Sequence, residues 1–182
     1  MDVAALDRLP AYADDGALQA VIEACQGSRN KLKYEPAQGV FRLHKVLPEG
    51  ARFPCDFGFV PSTRGDDGDP LDVLVLMDEP VPAGVVVACR VVGVIEARQK
   101  SRGKPALRND RLLAVAATSW RHGRVRTLAD LGDAFVEQVE RFFVFYNAAQ
   151  DIVFEPLARR GPREATRLVR AGMRAFSAGD AS

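Results

Sequence analysis

The sequence predicts an α+β fold: a closed or nearly closed antiparallel β-barrel, followed by two α-helices in the C-terminal half of the chain. Short apolar runs rich in β-branched residues, each bounded by turn residues, follow one another between residues 31 and 117. Their spacing leaves no room for a helix between most neighbours, which favours antiparallel pairing over a doubly wound parallel sheet. Helical periodicity becomes clear only after residue 127.

The strand predictions rest on six runs, which with one ambiguous segment give five to seven strands. The six runs are KLKYEP (31–36), GVFRLHKVL (39–47), DFGFVPS (56–62), PLDVLVLM (70–77), GVVVACRVVGVIEA (84–97) and RLLAVAA (111–117). The segment ALQAVIEAC (17–25) fits a helix or a strand, since its apolar run is too short for the period to decide.

Two segments carry the period of an amphipathic helix. The first, LADLGDAFVEQVERFFVFYN (128–147), follows Thr127 as a candidate N-cap and places its apolar side chains on one broad face. The second, PREATRLVRAGMRAF (162–176), begins with proline in its first turn and puts Ala165, Leu168, Val169 and Met173 on one side. Both helices therefore have a face to bury against the barrel.

Composition limits the classes of partner and of compartment. The length of 182 residues and 47% hydrophobic content suit one domain over residues 1–182, with residues 1–17 as an N-terminal arm. With 25 basic against 24 acidic side chains, no nucleic-acid or membrane partner is expected. The three cysteines lack paired spacing and are predicted to be reduced and packed. No leader-like or membrane-spanning run occurs, so we expect a cytoplasmic protein.

The stretch DDGDPLDVLVL (66–76) places four aspartates just before an apolar run. Glycine and proline make DGDP a loop, in which Asp67, Asp69 and Asp72 can converge and would repel one another without a cation among them. Oxygen ligands alone indicate Mg²⁺ or Mn²⁺, with Ca²⁺ as a competitor. The alternative is a solvated acidic turn. An EF-hand does not fit, because its sixth position is Asp72 and a strand follows.

The loop and several other blocks resemble the soluble, Mg²⁺-dependent inorganic pyrophosphatases of the barrel type. DGDPLDV (67–73) resembles the signature of that family, and further blocks agree with it in order and spacing over about residues 18–175. These blocks are GSRNK (27–31), GVFRLHKVLP (39–48), FPCDFGFVPST (53–63), PLDVLVLMDEP (70–80), GVIEA (93–97), NDRLLAVA (109–116) and FFVFYN (142–147). The resemblance implies a five-stranded, OB-like barrel flanked by helices, hydrolysis of diphosphate to two phosphates, several Mg²⁺ ions and, as in bacterial members, a homohexamer.

The resemblance also assigns roles to individual residues. It implies Asp67 and Asp72 as metal ligands, Asp69 as the base that takes a proton from water, and Glu23 as a ligand of an outer metal. It further implies four substrate-binding side chains: Lys31, Lys45, Arg111 and Tyr146. Each of these four also has a structural alternative, a solvated strand face for the lysines, a local ion pair for Arg111 and core packing for Tyr146.

Several positions depart from the family pattern. Lys45 stands where arginine is common, Phe57 replaces a phosphate-binding phenol, and Asn147 replaces a lysine. Most importantly, Gln99 and Asn109 fall where two metal-binding aspartates are expected.

Asp110 is next to Asn109, and Glu96 lies three residues before Gln99, so a small shift of the loop could restore a metal-binding carboxylate. Adjacent strand residues face opposite sides, however, so Asp110 does not substitute without a bulge. We therefore expect hydrolysis with fewer or weaker metals. The alternatives are a metal-dependent hydrolase of another phosphoanhydride, and a catalytically weak paralogue that binds diphosphate.

Overall fold

The computed structural model describes residues 5–180, so the first four residues of the predicted N-terminal arm and residues 181–182 lie outside the described part. Within that range the chain forms nine strands and two α-helices. In order they are β1 (Leu18–Ala24), β2 (Asn30–Glu35), β3 (Val40–Val46), β4 (Asp56–Val60), β5 (Leu71–Leu76), β6 (Val86–Ser101), β7 (Leu107–Arg108), β8 (Arg111–Ala116), α1 (Asp133–Ala148), β9 (Ile152–Arg160) and α2 (Pro162–Asp180). The α+β prediction is confirmed.

Five strands form a closed ring in the order β1, β4, β5, β8, β6 and back to β1. Four of the five pairings are antiparallel, while β5 and β8 run parallel, from Val73 opposite Leu112 to Leu76 opposite Val115. The expectation of a wholly antiparallel barrel is therefore wrong for this pair. The reason is parity: strand directions cannot alternate all the way round a ring with an odd number of members.

Both faces of β4, β5 and β8 are almost entirely buried. On β5, Val73 and Val75 belong to a core that includes Val169 of α2, whereas Leu74 and Leu76 belong to a second core that includes Phe143 of α1. Alternate residues thus enter different cores, because successive side chains of a strand point to opposite faces. This double burial explains why the strand sequences are apolar runs without alternation.

The β2–β3 hairpin forms a separate two-stranded sheet beside the ring. It is anchored by Tyr34, whose ring lies 5.2 Å from that of Phe41 and 6.3 Å from that of Phe59 on β4. The Tyr34 hydroxyl also accepts a hydrogen bond from the Leu6 N–H of the N-terminal arm (3.2 Å). These contacts fix the position of the hairpin, which lies beside the loop that precedes β5.

The helical segments agree with prediction except at one glycine. Gly132 has φ of +80°, which ends a short 3-10 turn (Leu128–Leu131) and starts α1 one residue later. Thr127 does begin the turn, since its N–H donates to the Asp130 carboxylate (2.9 Å). On α2, Ala165 and Val169 are buried as predicted.

The remaining sequence predictions have mixed outcomes. ALQAVIEAC contributes strand β1, and β6 runs past its predicted end to Ser101 and pairs there with β9, a strand that the sequence did not indicate. The cysteines are free; Cys55 and Cys89 are buried and Cys25 is half-buried. Among the helices within residues 5–180, none has the length and apolar character needed to span a bilayer.

Candidate active site

One cleft of about 380 Å³ opens between the β2–β3 hairpin, the loop before β5 and the C-terminal part of α1. Eight of the nine predicted site residues line this cleft, and only Asp110 does not. The eight are Glu23, Lys31, Lys45, Asp67, Asp69, Asp72, Arg111 and Tyr146. Residues up to 123 positions apart, such as Glu23 and Tyr146, are therefore brought to one place by the ring and the helix that packs on it.

The acidic loop has a fixed backbone. The Gly65 N–H donates to the Asp69 carbonyl (2.8 Å), the Gly68 N–H donates to the Gly65 carbonyl (3.1 Å), and Gly68 adopts φ of +87°. The Asp69 N–H donates to Asp67 Oδ1 (3.2 Å). Asp72 lies just beyond the loop on β5. The turn and the start of β5 together therefore place three carboxylates on the cleft side.

The carboxylates of the loop influence one another. Burial raises the pKa of Asp67 above its ordinary value, and the charges of Asp72 and Asp69 raise it further. The Asp69 N–H and the Arg111 guanidinium act in the opposite direction. Because a cation among these oxygens would relieve the repulsion, the chemistry of the loop fits a bound divalent metal.

Three acidic residues of the cleft already have cationic partners in the chain. Glu23 pairs with Lys31 in a buried contact, and it also accepts a hydrogen bond from the Tyr34 N–H (3.0 Å). Lys33 Nζ lies 3.1 Å from both carboxylate oxygens of Asp69.

Asp72 forms an ion pair with Arg111 (2.7 Å). A metal ion entering the acidic loop therefore competes with cations of the protein.

Arg111 is the most deeply enclosed of these cations. Its side chain is 4% exposed, and its guanidinium carbon lies 4.8 Å from the ring centre of Phe143 and 5.1 Å from that of Phe154. Two aromatic faces thus hold the guanidinium in one plane. Its buried Nε has no hydrogen-bond partner in the described part of the chain, which leaves a donor inside the site.

The two lysines predicted to bind substrate also lie on aromatic rings. Lys31 Nζ is 4.1 Å from the ring centre of Phe57, and Lys45 Nζ is 5.2 Å from that of Tyr146. Lys45 further donates to the side-chain oxygen of Gln150. Burial, followed by the charges of Lys31 and Lys33, lowers the pKa of Lys45. The hairpin therefore presents a cluster of ammonium groups that repel one another.

Tyr146 carries a neutral hydroxyl at physiological pH. Burial, and secondly the charge of Asp72, raise the pKa of its phenol to about 12. Its ring stacks on Phe142 with centroids 5.8 Å apart. A phenol in this state can donate a hydrogen bond but cannot serve as a base.

The wall formed by the end of β6 and the start of β8 is uncharged where carboxylates are expected. Gln99 and Asn109 both line the cleft, and the Asn109 amide donates to the Gln99 side-chain oxygen (2.9 Å). Asp110 points away from the cleft, where it accepts hydrogen bonds from the Ala97 N–H (2.8 Å) and from Arg108 Nε (2.6 Å). The prediction that Asp110 joins the metal set is therefore corrected, because strand alternation turns it to the opposite face.

The fit to a multi-metal site is therefore partial. Within the part of the chain that the structure describes, no three His, Cys, Asp or Glu side chains are grouped closely enough to form a metal cage. Four carboxylates line the cleft: those of Asp67, Asp69 and Asp72 lie in or next to the acidic loop, and that of Glu23 is held in its buried pair with Lys31. The first three are the donors closest in sequence. These suit one hydrated Mg²⁺ at the loop, since Mg²⁺ keeps several waters and needs few protein ligands.

Lys33 and Gln150 are among the cleft residues that were not predicted from the sequence. Lys33 follows Lys31 by two positions on β2, so strand alternation could have placed both side chains on one face. Gln150 lies just after α1, and no sequence signal marks it. Asn147, at a position expected to hold lysine, is buried and donates to the Phe143 carbonyl (2.8 Å).

The sequence matches the family profile described as "Pyrophosphatase: Inorganic pyrophosphatase" over residues 20–177. The chain belongs to the inorganic pyrophosphatase family. Members of this family hydrolyse diphosphate to phosphate and are generally metal-dependent. The resemblance predicted from the DGDPLDV loop is confirmed.

Known inorganic pyrophosphatases are similar to this chain over 71% to 96% of its length. An inorganic pyrophosphatase of Nostoc sp. is 32% identical over 171 residues, which are 94% of this chain and 98% of the relative. One from Thermus thermophilus is 37% identical over 130 residues, 71% of each chain. A crystal structure of inorganic pyrophosphatase from Thermus thermophilus superposes with a TM-score of 0.86 at 31% identity, covering 96% of this chain and 99% of that one.

Proposed function

We propose that this chain hydrolyses inorganic diphosphate to two phosphates with a water molecule activated by divalent metal. The observation that carries the proposal is the convergence of a carboxylate loop and a set of cations on one cleft. The loop contributes Asp67, Asp69 and Asp72, and the cations Lys31 and Lys45 face it from the hairpin. Such a pairing suits a small polyanion whose hydrolysis needs both a held water and neutralised oxygens.

The acidic loop supplies the metal and base functions. Asp67 and Asp72 are the proposed ligands of Mg²⁺, with Mn²⁺ as a substitute, because the loop offers only oxygen donors. A bound divalent ion lowers the pKa of its water and polarises phosphoryl oxygens. Asp69 accepts the proton of the attacking water, whose oxygen forms a bond to one phosphorus while the bridging P–O bond breaks.

Other side chains hold the substrate. Lys31, Lys45 and Arg111 bind the phosphate oxygens, and Tyr146, kept neutral by its raised pKa, donates a hydrogen bond to one of them. Glu23 was expected to hold an outer metal. Its buried pair with Lys31 supports a different role, since it keeps the Lys31 ammonium directed at the cleft.

The test is phosphate release from diphosphate by purified protein, with Mg²⁺ and with chelator. Asp69→Asn should lower the turnover number by about 10²–10⁴-fold, because the amide cannot take the proton. Asp66→Asn is the matched control: it removes one charge from the same loop, but Asp66 does not line the cleft. Full activity of Asp69→Asn, or release that persists in chelator, would contradict the proposal.

A second candidate function is a catalytically weak, diphosphate-binding role. It is favoured by the uncharged pair of Gln99 and Asn109, since neutral amides bind Mg²⁺ more weakly than carboxylates. Phe57 lines the cleft without the hydroxyl of the phenol expected there, and this loss of a phosphate donor also suits a hydrolase of another phosphoanhydride. A panel of diphosphate, triphosphate and nucleoside polyphosphates separates these functions, because only a true pyrophosphatase is fastest with diphosphate.

We further propose a cytoplasmic homo-oligomer, a hexamer by family resemblance. Large apolar side chains on the surface support self-association: Trp120 is 93% exposed, Val153 64% and Phe145 51%. Light scattering coupled to size exclusion measures the mass. A monomer at micromolar concentration would contradict the assembly, and Trp120→Ser tests whether this side chain is part of the contact.

A further inference from the structure

Three lysines stand close together on the hairpin wall of the cleft. Lys31 and Lys33 are two positions apart on β2, and Lys45 is directly opposite Lys31 on β3. Their mutual influence is visible at Lys45 and at His44, whose pKa values are lowered by burial first and by the neighbouring lysines next. Within residues 5–180, the structure gives Lys45 no carboxylate partner: its ammonium group donates to the neutral side chain of Gln150 and lies over the ring of Tyr146. The wall therefore has positive charge available for an anion.

Lys33 differs from the other cations in how it is held. Its pair with Asp69 is open to solvent, with the two side chains 45% and 59% exposed, whereas the pairs of Glu23 with Lys31 and of Asp72 with Arg111 are largely enclosed. Exposed ion pairs contribute little net free energy. Lys33 can therefore exchange Asp69 for a stronger acceptor at small cost, while the enclosed pairs stay in place.

A phosphate oxyanion is such an acceptor. It carries more charge than one carboxylate and offers several oxygens to an ammonium group. On the opposite wall, Gln99 and Asn109 bring no carboxylates that could gather metal ions around the substrate. Part of the substrate charge must then be neutralised by the protein itself.

We propose that Lys33 is a fourth phosphate-binding cation and that, with Lys31, Lys45 and Arg111, it lets the cleft bind diphosphate without divalent metal. The choice of diphosphate as ligand rests on the proposed function. When the anion binds, Lys33 transfers its hydrogen bonds from the Asp69 carboxylate to a phosphate oxygen. The same exchange frees Asp69, so the proposed base is uncovered only when substrate is present.

Calorimetric titration with methylenediphosphonate in EDTA tests this binding without turnover, because the P–C–P bridge of this diphosphate analogue is not hydrolysed. We expect the unchanged protein to bind it with a dissociation constant in the micromolar range, weakening as salt is added. Lys33→Gln should weaken binding by about tenfold or more, since one charge-assisted hydrogen bond is lost. Lys33→Arg, which keeps the charge, should restore most of the affinity.

Lys104→Gln is the matched control, because Lys104 is exposed and lies outside the cleft. Absence of binding to the unchanged protein in EDTA at millimolar analogue would overturn the proposal, and so would equal affinity of the Lys33→Gln variant. The binding experiment and the phosphate-release assay can fail independently of each other. Analogue binding in EDTA without phosphate release in Mg²⁺ would contradict the proposed hydrolysis and support this inference. Phosphate release in Mg²⁺ without analogue binding in EDTA would contradict this inference alone.

Discussion

Asp56, the first residue of β4, should make the fold less stable at neutral pH than at mildly acidic pH. Its side chain is fully buried, and one carboxylate oxygen accepts a hydrogen bond from the Gln26 N–H (3.1 Å). The other oxygen has no hydrogen-bond partner among residues 5–180. Burial raises the pKa of this carboxyl from 3.8 to about 6, although the hydrogen bond from the Gln26 N–H acts against the rise. The folded chain therefore holds the Asp56 proton more tightly than the unfolded chain does.

The size of the effect follows from linkage between protonation and folding. One pKa unit corresponds to about 1.4 kcal/mol, so a change from 3.8 to about 6 corresponds to about 3 kcal/mol. Because the folded pKa is the higher one, this contribution is fully present below pH 3.8 and is lost as the pH rises through about 6. At pH 7 the folded protein carries a buried charge without adequate partners.

Asp56→Asn isolates this contribution, since asparagine is neutral at every pH and imitates the protonated acid. We expect the variant to gain about 2–3 kcal/mol in free energy of unfolding at pH 7, and less than about 1 kcal/mol at pH 4. Urea denaturation at both values measures the difference, with the exposed Asp14→Asn as control for the loss of one charge. Equal stability at pH 7, or a gain that does not change with pH, would refute the reasoning.

Two further changes test the packing of the ring and the uncharged wall of the site. Gly58→Ala should lower the free energy of unfolding by more than about 3 kcal/mol or prevent folding, because the added Cβ would lie 1.9 Å from the Val21 carbonyl oxygen across the β1–β4 pair. A urea midpoint near that of the unchanged protein would contradict this prediction. Gln99→Asp combined with Asn109→Asp should raise the affinity for Mg²⁺ by about tenfold or more, because it adds two carboxylates to the cleft. The Mg²⁺ dependence of the melting temperature measures this change. An unchanged dependence would show that these positions do not face a metal.

Strands and helices were predictable where the hydrophobic pattern of the segment alone determines its structure. The β-branched runs around Val75 and Val115 identified their strands, because burial on both faces makes a sequence continuously apolar. The sequence could not predict strand β9, in which Pro156 and charged residues interrupt the pattern and pairing with β6 decides the structure. It also could not indicate that β5 and β8 run parallel, since that follows from closure of the ring and not from either strand.

The site was predictable to the extent that its chemistry lies in one loop. Asp67, Asp69 and Asp72 lie within a stretch of six residues, so their convergence follows from local turn residues. Their cationic partners come from distant strands: Lys33 precedes Asp69 by 36 positions. Side-chain alternation on β2 could have predicted that Lys33 lies beside Lys31. The contact of Lys33 with Asp69, however, depends on the position of the hairpin relative to the acidic loop.

The pairing of these charges has a consequence for metal binding. Three carboxylates facing one cleft would be costly in a metal-free chain, and Lys33 and Arg111 offset that cost by pairing with Asp69 and Asp72. An entering metal ion must displace or share these partners, so its net gain is smaller than at a loop of unpaired carboxylates. The amide pair of Gln99 and Asn109 acts in the same direction, because it satisfies its own hydrogen bond and adds no negative charge. Retention of the acidic loop therefore does not imply retention of the family's metal affinity, and the proposed site depends more on the charge of its own side chains.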